Sequence, residues 1–288
     1  MTTATARPPA PAPVPQEIRG PSAYGGSTRR FINLTWLLAI TEFRLAYFGS
    51  ALGYLWSLMR PLLFFGVLYV VFSEVIRFGD NIKDYPMVLL TSIVLFLFFT
   101  EATGNSVRSV LNRESLVRKM QFPRMVIPVS TVLTSALNLM ANLVAVLVFL
   151  VAYGIKPHWQ WLLLPVLLVL LIAFTSGVAM MLSSLYVTYR DVAPIWTVVS
   201  QLLFYATPVL YTFEQASPGW QRHVIMSNPL ACILEQGRRW MVDPDAPGAA
   251  AAAGGFGWFM IPVAIFILVC VLGLWVFNRE APKIAERL

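Results

Sequence analysis

Six runs of apolar residues organise the chain, each long enough for the ~20 residues that a helix needs to cross a bilayer. They lie near 54–76, 86–104, 125–153, 160–187, 194–213 and 256–277. The third and fourth exceed that minimum, a surplus that tilt or extension beyond the lipid absorbs. Ahead of the first run, Phe31, Leu34, Leu38 and Leu45 recur at helical spacing within residues 29–53. Arg30, Asn33, Thr41 and Arg44 favour another face, so this stretch predicts an amphipathic helix lying in the membrane interface. The competing reading is a plain extension of the first span. Residues 214–255 mix polar residues with apolar runs too short to span. Residues 1–28 are rich in Pro, Ala, Gly and Thr and lack the apolar core of a signal peptide. They read as a disordered tail, leaving 29–288 as one all-α membrane domain.

Composition agrees with that pattern. The chain is 58% hydrophobic and 12% charged, whereas soluble domains run near ~45–50% and ~25%. A net charge of +7 would suggest nucleic acid in a soluble protein. Here its placement decides otherwise, and no nucleic acid partner is expected. Fourteen of the 21 Lys and Arg fall on one side of the predicted membrane and six on the other, with Arg60 inside the first span. The richer side, which includes both termini, should be cytoplasmic, with Arg side chains reaching lipid headgroups.

Little in the sequence supports chemistry of its own. Two cysteines and two histidines form no CxxC, HExxH or mixed cluster, so neither a metal site nor a disulfide framework is expected. None of the four lysines follows a glycine as a P-loop requires. No G-x-S-x-G motif occurs, and no nucleophile pairs with a base. Ionisable residues within the spans reduce to Arg60, Glu74 and Glu101, which is thin for a proton-coupled pump. An enzymatic role is therefore not expected, and energy for transport would come from an ion gradient or another subunit.

Five strings in order carry a resemblance: "FRLAYFGSALGYLWSLMRPLL" (43–63), "LVRKMQFPRMVIPVS" (116–130), "VTYRDVAPI" (187–195), "FYATPVLY" (204–211), and "NPL" (228–230) followed by "EQGRRWM" (235–241). Together they resemble the membrane subunits of ABC-2 type polysaccharide exporters, which carry O-antigen, teichoic acid, capsule or galactan chains across the bacterial inner membrane. Arg60 departs from the pattern, standing where a small polar residue is expected before the proline. The resemblance implies a homodimer of six-span chains, served by two copies of a separate nucleotide-binding ATPase subunit. ATP and Mg would be bound by that partner, with no cofactor in this chain. The substrate would be a lipid-linked glycan.

The resemblance also assigns residues. Arg113, Glu114, Arg118, Lys119 and Phe122 are expected at or near the ATPase contact, against the simpler role of a basic anchor beside anionic lipid. Arg190 and Asp191 occupy a tight cytoplasmic turn, where an ion pair or helix cap is favoured slightly over partner contact. Tyr54, Trp56, Tyr69, Phe72, Trp196, Phe204, Tyr205 and Tyr211 lie in the first and fifth spans, which line the pore in this family. Each of these rings competes with ordinary packing. Trp159, Trp161, Trp220 and Trp258 fit an interfacial belt. Residues 214–255 would hold paired re-entrant helices capping the exit. Within the transport class the alternative is an ABC-2 exporter of a small lipophilic drug or lipid. An ion-coupled transporter or a membrane glycosyltransferase fits less well.

Overall fold

A computed structural model describes residues 28–47, 53–77, 82–114, 122–213 and 219–287. All but Thr28 of the expected tail lies outside the described residues, as do Arg118 and Lys119. Among the described residues every regular element is helical.

The order is α1 (Thr28–Tyr47), α2 (Gly53–Tyr69, continued by a π turn at Val70–Val75), α3 (Tyr85–Val107), α4 (Ser109–Asn112) and α5 (Val126–Tyr153). A 3₁₀ turn (Trp159–Leu163) leads into α6 (Leu164–Thr188), then α7 (Val192–Ala206), α8 (Trp220–Met226), α9 (Pro229–Met241), α10 (Ala249–Ala252) and α11 (Phe256–Arg287). Five segments are long and apolar enough to cross a membrane: Leu55–Val75, Tyr85–Val107, Val126–Tyr153, Trp159–Thr188 and Phe256–Ala281.

The fifth predicted run differs. Its apolar length predicts helix to residue 213, but α7 stops at Ala206 after 15 residues, about 22 Å at 1.5 Å per residue. The cause is local: Thr207 precedes Pro208, a position that disfavours helix, and its backbone is extended. The chain then folds inward, burying Thr207, Val209, Leu210 and Phe213.

α3 is the axis of the bundle. Its spanning window is 78% buried, against 6% for Leu55–Val75 and 11% for Phe256–Ala281. α5 and α6 flank α3, while α2 and α7 lie against it from outside. Among the described residues Thr91 Oγ1 is buried without a partner, whereas several hydroxyls on these helices return to their own backbone, as Thr103 does to the Phe99 carbonyl (2.7 Å) and Thr175 to that of Leu171 (2.7 Å). Buried polar groups in hydrocarbon are tolerated on that condition.

The face predicted for α1 is largely correct. Phe31, Leu34 and Leu38 pack on a buried cluster, and α1 lies along α5. Leu45 does not join them; it is exposed, as are Ile32, Trp36 and Leu37. The outer face of α1 is therefore apolar as well, which a neighbouring lipid surface accommodates better than water does.

The segment after α7 is fastened at several points. Asn228 caps α9 by accepting from the Leu230 N–H (3.0 Å), with Pro229 at the first helical position. The Asn228 amide also donates to Thr207 Oγ1 (3.0 Å), joining two of the quoted strings. At the other end of α9, Trp161 donates to the Met241 carbonyl (3.2 Å) and a His158 ring nitrogen meets that of Trp240 (3.0 Å). Trp161 thus closes a helix end and is only partly a belt residue, whereas Trp159, Trp220 and Trp258 are exposed. Glu235 and Arg238 form a buried ion pair within α9 (2.9 Å).

α6 and α11 cross at glycines. A Cβ on Gly273 would land on the Gly177 backbone, and one on Gly177 would meet Cys270 Cα at 3.0 Å. Small residues permit such backbone approach where lipid provides no hydrophobic force between helices. Gly273→Ala should therefore cost ~1–3 kcal/mol by overpacking. Gly66→Ala, where a Cβ meets nothing within 4 Å, should be nearly neutral. Thermal unfolding of the two variants in detergent checks the contrast.

Candidate functional site

At the end of the bundle that carries most of the basic residues, α3 breaks at Arg108 and continues as the single turn of α4. Arg113 follows and forms an ion pair with Glu42 of α1. Its guanidinium also donates to Ser130 Oγ on α5 (3.1 Å). Thr134, one turn further along α5, donates to the Ser130 carbonyl (2.9 Å) and sits 3.3 Å from both Glu42 Oε2 and the Ala39 carbonyl. One cation and one carboxylate thus pin α1 and the end of α3 to the start of α5. Burial lowers the Arg113 pKa from its ordinary value, but a guanidinium stays charged at neutral pH.

Two residues expected at the partner contact are turned inward. Arg113 is engaged with Glu42, the nearest carboxylate able to neutralise it, and its side chain is only 18% exposed. Phe122 is buried in a cluster with Val110, Met125, Val187 and Phe277, because an apolar ring beside Pro123 finds that pocket before it finds solvent. Neither side chain offers a surface; both instead hold the ends of the segment between them. Glu114 is half-buried and has interactions of its own. Arg124 anchors the segment's far end by donating to the Ala281 carbonyl of α11, and burial lowers its pKa too.

The turn at Arg190 and Asp191 is exposed. Among the described residues Asp191 stands at the N-cap of α7 without a side-chain cap bond, and Arg190 lies over the Tyr186 ring at 5.2 Å. A cation over a ring satisfies Arg190 and leaves the carboxylate outward. Next to this turn a cleft of about 590 Å³ opens between the end of α3 and the start of α7, lined by Asn105, Arg108, Asn112, Pro194 and Thr197 among others. Sequence reading treats Arg108 only as a topological marker and passes over Asn112. Their spacing of four on a helix is the available signal.

The candidate channel rings divide into two sets. Trp196 donates to Thr103 Oγ1 (3.1 Å) and meets Phe99 edge-on, while Phe204 packs against Phe96 (5.2 Å) and Phe64 (5.8 Å). The series continues from Phe99 through Phe174 to Phe266, so these rings form the seam that binds α7 to α3. Tyr69 stacks on Phe65, and Phe72 is partly buried against the same core. Tyr211 donates to the Tyr205 carbonyl (3.3 Å). Only Trp56 and Tyr205, 57% and 68% exposed, point clearly outward. The side chain of Tyr54 lies outside the described residues.

Among the described residues no group of His, Cys, Asp and Glu has the geometry of a metal site. Burial and the neighbouring Glu235 push the Cys232 thiol up to about 12, the opposite of an activated nucleophile.

Residues 33–242 match the family described as ABC-2 type transporter. The chain is 31% identical over 257 residues to an O-antigen export system permease protein RfbA of Klebsiella pneumoniae, covering 88% of this chain and 94% of that protein. It is 28% identical over 252 residues to an RfbA of Myxococcus xanthus, covering 86% and 92%. Against the polysialic acid transport protein KpsM of Escherichia coli the identity is 20% over 206 residues, covering 70% and 78%.

The Glu42–Arg113 pair gives a direct test. Glu42→Gln leaves a half-buried guanidinium without its counter-charge and should cost ~1.5–3 kcal/mol. The exchange Glu42→Arg with Arg113→Glu should recover most of it. Unfolding midpoints of both single variants and the double variant measure the coupling.

Proposed function

The chain belongs to the ABC-2 type transporter family, and on that footing we propose that it is the permease subunit of an ATP-driven exporter moving a lipid-linked polysaccharide across the bacterial inner membrane. What carries this reading is the match along 94% of an O-antigen export permease, with capsule-type relatives further off. A partner ABC ATPase supplies ATP and Mg, in keeping with a chain that has no P-loop of its own. Both termini face the cytoplasm, the side favoured by the Lys and Arg distribution.

The ATPase docks at the basic end of the bundle. Its seat comprises the segment between Arg113 and Phe122, with Arg118 and Lys119 at its middle, together with the cleft beside Arg190 and Asp191. Arg113 and Phe122 act as positioning residues that hold the segment by its two ends. A push on the segment then reaches α1 through Glu42 and α11 through Arg124.

Two copies of the chain form the path. α2 and α7 are the helices with the least cover in a single copy: α7 has no buried residue, and the spanning window of α2 is 6% buried. A second copy set against them encloses a passage with Trp56 and Tyr205 on its wall, where ring faces suit the C–H faces of sugars. Trp196 and Phe204 hold α7 at its angle from behind. α8 and α9 form the re-entrant cap at the exit.

Reconstitution of the chain with its ATPase tests the reading. Lipid-linked glycan should stimulate ATP hydrolysis, and a chain that associates with no ABC ATPase overturns it. Reversing Arg118 and Lys119 to Glu should leave insertion and fold intact while abolishing stimulation. Pull-down of the ATPase and hydrolysis in vesicles report the two effects separately.

A further inference from the structure

Beside the C-terminal end of α1, walled by α2, α3 and α5, lies a cavity of about 480 Å³. That falls within the ~300–1,000 Å³ of small-ligand sites. Its wall joins the two charges that the spans hold at this level, Arg60 on α2 and Glu101 on α3, to Asn138 and Asn142 on α5. The polar groups form a chain: the Tyr47 hydroxyl donates to Asn138 Oδ1 (2.6 Å), and Asn138 Nδ2 lies 3.4 Å from Glu101 Oε1. Asn142 Nδ2 donates to the Asn138 carbonyl (3.0 Å). Arg60 lines the same space and has no ion pair or hydrogen bond among the described residues.

Helix packing alone does not call for this lining. Ionisable and amide side chains within spans are costly and mark ligand paths. The charges narrow the ligand. One cation and one anion leave the cavity formally neutral, so a phosphate dianion would meet the Glu101 carboxylate and a divalent cation would meet Arg60. An uncharged, hydroxyl-rich ring suits both. Each hydroxyl donates and accepts, and amides, a carboxylate and a guanidinium offer both functions in fixed geometry. The apolar part of the wall, with Leu97 and Phe98, suits the C–H face of such a ring, and Trp56 stands at the rim.

We propose that this cavity is a saccharide subsite, holding one sugar unit of the exported glycan through Glu101, Asn138, Asn142 and Arg60. The proposal rests on the glycan-export reading above and adds to it a place of recognition beside the path between the two copies, with Trp56 common to both. It also gives the departure at Arg60 a role: a cation where a small residue would serve packing equally well.

The experiment reads binding rather than transport. The complex with its ATPase carries Ala46→Cys at the cavity rim, with Cys232 and Cys270 replaced by Ala. It is reconstituted in phosphatidylcholine vesicles, alone or mixed with glucosyl, galactosyl or mannosyl diacylglycerol, phosphatidylglycerol or phosphatidylethanolamine. At least one neutral glycolipid should slow maleimide labelling of the introduced thiol about tenfold, which corresponds to ~1.4 kcal/mol, and the two phospholipids should not. Glu101→Gln, which keeps the shape, and Asn138→Ala should each remove the protection in complexes that still elute as a single species. Absence of protection by all three glycolipids, or equal protection by phosphatidylglycerol, overturns the proposal. Glycan export by cells bearing the unmodified chain is followed in parallel. Export without protection removes only the subsite, and protection without export removes the export reading.

Discussion

Every polar group that enters the bilayer must be satisfied inside the protein, and in this chain that constraint falls first on α3. Surrounded by α5, α6, α7 and α9, it leaves almost no side chain to lipid or water. Its hydroxyls at Thr100, Thr103 and Ser106 turn back onto carbonyls one turn earlier, Tyr85 at its start donates to the Leu210 carbonyl (2.8 Å), and among the described residues Thr91 Oγ1 is buried without a partner. Because α3 is closed on these sides, its neighbours have fixed seats. α2 and α11 then lie outermost, with few buried residues of their own.

The two ends are built differently. At the basic end, long-range contacts involve full charges: Glu42 with Arg113, and Arg124 with the Ala281 carbonyl. At the opposite end neutral contacts, as in Asn228 with Thr207 and Trp161 with Met241, stand beside charged ones, as in Arg222 with the Ala252 carbonyl (2.7 Å). Exposed Lys83 pairs with the buried Asp243 (3.0 Å), and solvent screens the lysine side of that contact. A half-buried ion pair holds one geometry strongly and is costly to leave half-made. Such a contact suits a junction that transmits force from a partner without loosening.

Much of this is legible in the sequence because apolar run length and period report burial directly. Five spans appear where the runs lie, and Phe31, Leu34 and Leu38 form the one packed face of α1 that their spacing predicts. The departures have separate causes. Glu42 and Arg113 are far apart in sequence, and no periodicity reveals that a positive charge on one loop is neutralised by a helix upstream. The sequence therefore leads to an expectation of Arg113 and Phe122 at or near a partner contact, without showing that both side chains turn inward. The length of the fifth run fails for a local reason, since hydropathy counts Thr207, Pro208 and Val209 as permissible span residues although the Thr-Pro step stops the helix. Leu45 fails because both faces of α1 are apolar, which removes the contrast on which a moment relies.

The aromatic residues follow the same division between axis and periphery. Rings on α7 that face α3 are fixed by partners on both sides, with the Trp196 N–H bonded to Thr103 and Phe204 held between Phe64 and Phe96. A ring so held cannot turn toward a passing sugar without breaking the seam that orients α7. Trp56 and Tyr205, exposed on the outer sides of α2 and α7, carry no such restraint. In the proposed passage, contact with a moving polymer would fall to few rings, which favours many weak stacking encounters over one tight hold. A tight hold would stall a chain in transit. Recognition that depends on several hydrogen bonds at once is better placed in a side cavity, where Glu101 and the two α5 asparagines are already linked and need not reorganise.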